Sequence, residues 1–244
     1  MGFFGSSGKK EGAQGPDGQS TSLKEIARFG GLLSSMVVEG LARPNGTTVP
    51  EDALAMSATI AAERAIDAAS VLPLRDHELI PGTRVQSNEM NSLLFGDSGD
   101  GTWEKLPPAC ALGFLRAHLL NHGFQPGDFP DLPEILRFFD AHGEDPVWFG
   151  TAPLTVPKEH WPRLSPLKIG FESRRDVDDR LRPLPNRLEK LMASLWSLME
   201  VLIFARQGLP APICLRLAVE IFHGMAKTAP MTARRADEMK KMNP

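Results

Sequence analysis

The most apolar part of the sequence is the run 187–207. Its large apolar residues recur at intervals of three and four, the spacing that places side chains on one face of an α-helix. They are Leu188, Leu191, Met192, Leu195, Leu198, Met199, Leu202 and Ile203. Three further apolar residues fall on the other sides of this helix, namely Trp196, Val201 and Phe204. This pattern is typical of a helix buried in a core, and Glu200 interrupts it before it reaches the roughly 20 apolar residues that span a bilayer.

A second apolar run, 212–227, follows after the glycine- and proline-containing breaker 208–211. A short breaker between two apolar helices predicts an antiparallel helical hairpin. We expect this hairpin to organise the core, because burial of one large apolar side chain stabilises by roughly 1.5–3 kcal/mol. An exposed ion pair contributes only about 0–1 kcal/mol.

The polar residues of the second run lie on one line along the predicted helix. Arg216, Glu220, His223 and Lys227 are separated by four, three and four positions, so their side chains share one stripe. One interpretation is a solvated face with ion pairs between successive turns. The other is a polar seam of Glu200, Arg216, Glu220 and His223, facing across the hairpin as a buried ion pair or as the wall of a site.

Two helices are predicted near the beginning of the sequence. The first follows a capping box formed by Ser22 and Glu25 and extends to about residue 41. Its apolar face is formed by Ile26, Phe29, Leu33, Met36, Val37 and Leu41. Gly30 and Gly31 lie inside this helix at a cost in helix propensity, which indicates a close helix crossing or a kink. The second follows a capping box at Thr48 and extends to about residue 70, and its many alanines allow a neighbouring backbone to approach closely.

The middle of the sequence predicts a short helix capped by Ser87 and then a helical pair, 109–122 and 132–142. Asp131 is the predicted cap of the second helix of this pair. Both members of the pair end in His-Gly, at His122 and His142. Glycine suits the position after a helix, and a histidine in the last turn can bond the final carbonyl groups.

The predicted fold class is mostly α, a bundle of about six helices in antiparallel pairs with irregular proline-rich segments. The segment 144–185 is rich in proline and tryptophan, and we expect an irregular surface segment there, with a solvated run of mixed charges at 174–182. The chain divides into a flexible tail over 1–20, one helical domain over 21–228 and a polar tail over 229–244.

Composition and charge favour a soluble protein that does not bind nucleic acid. The sequence has 244 residues, a 42% share of hydrophobic residues and a net charge of -3, which gives one substantial core and no excess of positive charge. Cys110 and Cys214 lie in apolar segments, as buried thiols in a reducing compartment do. Without a recognisable signal peptide, we expect a cytoplasmic protein. Membrane contact is expected only through the N-terminal tail, where Gly2 and Ser6 match a myristoylation pattern.

One pair of histidines has the spacing of metal ligands. His118 and His122 are one helical turn apart, as in many zinc sites, and a third ligand would have to come from His142, Asp140 or Asp128. The glutamate of the metalloprotease motif is absent at the required position. Helix termination at His122 and partial burial of His118 are the structural alternative.

The sequence contains no recognisable catalytic set, phosphate-binding loop or cofactor motif, and we expect no cofactor. Our first hypothesis is a non-enzymatic helical protein that binds another protein or assembles with itself. The alternative is a metal-dependent or small-molecule-binding helical enzyme. That enzyme would use His118 and His122, or the stripe of Arg216, Glu220 and His223.

Overall fold

The computed structural model describes residues 21–96, 101–145, 148 and 150–242, with side chains up to residue 237. The predicted N-terminal tail and its myristoylation pattern lie outside these residues. The described residues confirm the mostly α fold with nine α-helices. These are α1 (Leu23–Gly40), α2 (Pro50–Ala68), α3 (Asn88–Phe95), α4 (Ala111–Asn121), α5 (Leu132–His142), α6 (Pro166–Leu181), α7 (Arg187–Ala205), α8 (Ala211–Ala226) and α9 (Ala233–Met242).

Regular β-structure is limited, in the described part of the chain, to one isolated antiparallel bridge between Arg84 and Thr228. A main-chain hydrogen bond of 2.7 Å from Val85 to the Lys227 carbonyl oxygen lies beside it. The pairing fastens the segment before α3 to the end of α8. Within the same part of the chain, no helix combines the length and the apolar character that crossing a bilayer requires.

The alanine-rich α2 lies at the centre of the bundle. Every residue over 52–66 is buried except Met56. Helices α1, α6, α7 and α8 all pack against α2, and its small side chains let their backbones come close. The buried alanines are Ala53, Ala55, Ala58, Ala61, Ala62 and Ala65. Small side chains, rather than large apolar ones, therefore place this helix in the middle.

The predicted pairing of α7 with α8 is replaced by packing of both helices on α2. A short turn connects α7 and α8, but α7 packs mainly against α1 and α2, α8 packs mainly against α2, and the two make few contacts with each other. α7 runs antiparallel to α2, since the hydroxyl oxygens of Ser57 and Ser197 are 3.4 Å apart and Asp67 lies 3.4 Å from Arg187. The two helices of the predicted hairpin therefore do not pack closely on each other, because the thin, alanine-rich α2 packs against both.

Helix α6 lies inside the segment that the sequence predicts to be irregular. Its buried positions follow a four-residue spacing at Ile169, Ser173, Val177 and Leu181. Serine in this stripe and Gly170 beside it, together with many charges around them, weaken the apolar periodicity that would indicate a helix. The prediction of a solvated charge run is also wrong at Arg174, whose side chain is only 6% exposed.

The predicted polar tail at the end of the sequence contains α9. Thr232 and Ala236 are buried there. The guanidinium group of Arg235 donates a 3.0 Å hydrogen bond to the Glu78 carbonyl oxygen. The segment is thus attached to the loop that follows α2, by contacts that its polar composition does not indicate.

Side-chain caps explain where several helices begin. Ser22, Ser87 and Asp131 each accept a hydrogen bond from the main-chain N–H three residues later, as predicted. The predicted capping box at Thr48 is absent, because α2 begins two residues after it. The Thr48 hydroxyl group instead donates a 2.7 Å hydrogen bond to the Val38 carbonyl oxygen and closes the turn between α1 and α2.

The crossing of α1 and α7 requires glycine at one position. A Cβ atom added at Gly30 would lie 2.6 Å from the Cβ atom of Trp196 and 2.9 Å from the Ala193 carbonyl oxygen. Both distances are shorter than atomic contact permits. The neighbouring Gly31 has nothing within 4 Å of such an atom. The predicted close crossing is confirmed, and it depends on Gly30.

The two glycines provide a matched test of this crossing. Gly30→Ala should lower the free energy of unfolding by about 1–3 kcal/mol, because the added methyl group forces α1 away from α7. Gly31→Ala should raise it by about 0.5–1 kcal/mol, because alanine favours the helix and meets no atom. Urea denaturation of both variants measures the difference, and equal shifts in the same direction would contradict the close crossing.

Candidate functional site: a groove over the central helix

Three charged residues of α2 are buried, and each one binds a partner in the segment 163–178. The pairs are Asp52 with Arg163, Glu63 with Arg174 and Arg64 with Asp178. The partners are separated by 111, 111 and 114 positions, so α6 follows α2 in the same direction. These contacts set the position of α6 along α2.

The pair of Glu63 and Arg174 is the most completely bonded of the three. The Arg174 guanidinium group donates to both carboxylate oxygens of Glu63, at 2.6 and 2.9 Å. It also donates to the carbonyl oxygens of Leu74, at 3.0 Å, and Met231, at 2.7 Å. One side chain thus joins α6 to α2, to the loop after α2 and to the segment before α9.

Asp178 extends this contact to the surface. It accepts a 2.6 Å hydrogen bond from Arg64 and a further one from Arg75. Burial alone would raise the pKa of Asp178, but the attraction of Arg64 and the hydrogen bonds from both arginines outweigh it and hold that pKa below its usual range.

With α6 fixed in this way, a groove remains between α1, α2 and α6. Its volume is about 320 Å³. Met56 of α2 forms the floor, and the two walls come from α1 and from the segment of α6. The lining residues are Met36, Gly40, Leu41, Met56, Leu164, Ser165, Lys168, Ile169, Glu172, Ser173 and Asp176. Its volume lies at the lower end of the range that ligand-binding clefts occupy.

The predicted polar seam is only partly assembled. Thr155 donates a 3.0 Å hydrogen bond from its main-chain N–H, and another from its hydroxyl group, to the Glu220 carboxylate. Arg216 donates to the Thr155 hydroxyl oxygen at 2.9 Å and to Glu134 at 2.6 Å. Burial is the main reason that the pKa of Glu220 is raised. The structure therefore brings Arg216 and Glu220 together to fasten the segment 152–157 onto α8.

The other two members of the predicted seam lie elsewhere. Glu200 is exposed and accepts a 3.3 Å hydrogen bond from the indole N–H of Trp196. His223 is 2% exposed, with its ring centroid 4.8 Å from that of Phe139 and 5.8 Å from that of Phe95. A solvated face is the wrong interpretation for Glu220 and His223, since both are buried.

The histidines proposed as metal ligands have structural roles in this fold. The ring of His118 packs against Phe114 and Trp196, with centroids 4.3 and 5.1 Å away. The Nδ1 atom of His122 lies 2.8 Å from the His118 carbonyl oxygen, one turn earlier in the helix. His142 makes the same contact, at 3.0 Å, with a carbonyl group of its own helix. The described residues contain no group of three or more side chains placed to hold a metal ion.

Sequence reasoning misses most of the groove. Met36 and Leu41 are expected in the buried face of α1 and instead reach the groove. Lys168 and Asp176 fall in a segment predicted to be irregular, so no pattern connects them with α1. One signal could have revealed their helix. Pro166 follows Ser165, and this order is common at the start of a helix.

No protein-family model, no curated protein and no solved structure matches the chain. The function must therefore be inferred from the groove and its surroundings.

The buried ring of His223 makes the stability of the fold depend on pH. Burial, followed by the nearby charges of Lys227 and Arg84, lowers its pKa well below the usual value, and neither ring nitrogen has a hydrogen-bond partner among the described residues. The unfolded chain binds a proton below about pH 6.5 and the folded chain does not. The free energy of unfolding is therefore highest, as far as His223 is concerned, above that pH. It decreases as the pH falls below it, by up to about 1.4 kcal/mol per pH unit.

His223→Leu should accordingly flatten the fall in unfolding free energy between about pH 7 and pH 5.5, the range in which histidine protonation dominates. Met225→Leu is the matched control, because Met225 is a buried residue of the same helix without a titratable group, and it should keep the wild-type slope. Denaturation curves at a series of pH values measure both. An unchanged slope in His223→Leu would contradict this role for the buried ring.

Proposed function

We propose that this protein acts without catalysis, by binding a segment of another protein in the groove over Met56. The observation that carries the proposal is the enclosure of α2, which neighbouring helices cover over 52–66 except at this one residue. Methionines at Met36 and Met56 suit such a role, because their flexible, polarisable side chains adapt to different apolar partners. Grooves between helices commonly receive the apolar face of a partner helix.

The enzymatic alternative has less support from the same contacts. Glu220 accepts a hydrogen bond from Thr155, and Arg216 donates one to Glu134. The His122 ring hydrogen-bonds a carbonyl group of its own helix. A second copy of the chain could occupy the groove in place of another protein, and the experiment below separates these two outcomes.

We also propose that the protein works in the cytoplasm and does not bind nucleic acid. The location is supported by the two cysteines, Cys110 and Cys214, which are both free and buried. Burial raises the pKa of the Cys214 thiol to about 12, so this side chain stays protonated inside the core. The net charge of -3 supports the second point.

Leu164→Asp provides the direct test of the groove. Leu164 lines the groove and is 38% exposed, so aspartate there should leave the fold intact while placing a charge where a partner must bury apolar surface. Proteins captured by the wild type would be identified, purified and titrated against both forms, and we expect at least a tenfold weaker Kd for the variant. Leu188→Asp is the matched control, because that leucine is 53% exposed and lies outside the groove.

Two outcomes would contradict the proposal. One is a purified partner that binds Leu164→Asp as tightly as it binds the wild type. The other is a purified chain that forms a dimer on its own in sedimentation velocity and loses it in Leu164→Asp, which would make a second copy the occupant. Circular dichroism melts of both variants establish that they fold.

A further inference from the structure

The wall of the groove formed by α6 carries a line of charged residues. Lys168, Glu172 and Asp176 are spaced by four positions and all line the groove, so they lie one above another on the helix. Lys168 and Glu172 form an exposed ion pair of 3.8 Å and largely neutralise each other. Asp176 is exposed and makes no ion pair or hydrogen bond with another described side chain. The rim of the groove therefore has a negative charge at this end that no ion pair among the described residues neutralises.

The interior of the groove offers little to a polar ligand. The Ser173 hydroxyl group donates to the Ile169 carbonyl oxygen at 2.8 Å, and the Ser165 hydroxyl group donates to the Gly150 carbonyl oxygen, also at 2.8 Å. Both hydroxyl protons are thus used inside the chain. The groove presents the apolar side chains of methionine, leucine and isoleucine together with the charged residues of the α6 wall. Recognition thus has to combine an apolar anchor with the charge at the rim.

The shape of the groove favours an elongated occupant. Its α6 wall extends from Ser165 to Asp176, which at the rise of an α-helix is a length of roughly 16 Å. This is about three turns of a partner helix. In the α1 wall, Gly40 has no side chain, and an added Cβ atom there would meet nothing within 4 Å. A partner backbone can therefore lie across the α1 wall at this position.

We propose that the occupant is an amphipathic helix of another protein, with a large apolar side chain seated on Met56 and a lysine or arginine beside Asp176. This inference rests on the proposed function and specifies its partner. The apolar anchor supplies most of the affinity, and the rim charge selects the partner. The selection is modest, because an exposed charge pair is weak and is screened by salt.

The test uses two synthetic peptides as probes for the full-length chain. Both have leucines at helical spacing and glutamines elsewhere, and they differ only in carrying two lysines or two glutamates beside the leucine stripe. Fluorescence anisotropy at low salt should give a Kd at least threefold lower for the lysine peptide, and the difference should shrink at high salt. Asp176→Lys should remove or reverse this preference. Asp76→Lys should not, because Asp76 is exposed and lies outside the groove.

Equal binding of the two peptides, or a lysine preference that survives Asp176→Lys, would overturn the proposed charge selection. If that equal binding is lost in Leu164→Asp, the groove still binds apolar helices and the proposed function stands. If neither peptide binds, the proposal that the occupant is an amphipathic helix is wrong. The titration of a purified partner against the wild type and Leu164→Asp then tests the proposed function separately. If the wild type binds phosphatidylserine-containing vesicles and Leu164→Asp does not, the groove binds a membrane surface, and the proposed protein partner is wrong.

Discussion

The structure depends on the buried pair of Glu63 and Arg174. Neither side chain could be buried alone, because an unpaired charge in a protein interior costs several kcal/mol. Two hydrogen bonds between them, and two more from Arg174 to main-chain carbonyl oxygens, make burial possible. The result is a specific register. Helix α6 has few large apolar residues with which to hold itself against α2, and the charges define where it must lie.

This register has consequences on both sides of α6. At the buried side, Gly170 lies against α2 so closely that an added Cβ atom would be 2.7 Å from a Glu63 carboxylate oxygen. At the outer side, the same placement leaves Met56 uncovered and sets Lys168 and Asp176 along the rim of the groove. The groove is therefore a product of the charge pairing, and a shift of α6 by one turn would move its wall relative to the floor.

The sequence predicts the helices that have strong apolar periodicity or clear caps. The ends of α5 follow from Asp131 and His142, and α1, α7 and α8 are predicted to within a few residues. It does not predict α6, because periodicity analysis counts Arg174 as polar and therefore exposed, whereas its partner lies 111 positions away. The central position of α2 is also missed, since apolar strength points to α7 while small side chains decide which helix fits in the middle. Long-range pairing of charges and close packing of alanines are both invisible to local patterns.

The most direct test of this account is the unfolding free energy of Arg174→Met compared with that of Glu63→Met combined with Arg174→Met. The single variant removes both hydrogen bonds to the buried Glu63 carboxylate and leaves it only a 3.8 Å ion pair with Arg64, so we expect it to lose about 3 kcal/mol. The double variant should recover most of that loss, while Arg175→Met, an exposed neighbour on the same helix, should change stability by less than about 0.5 kcal/mol. A loss of less than about 1 kcal/mol in the single variant, or no recovery in the double variant, would contradict the claim that this pair positions α6.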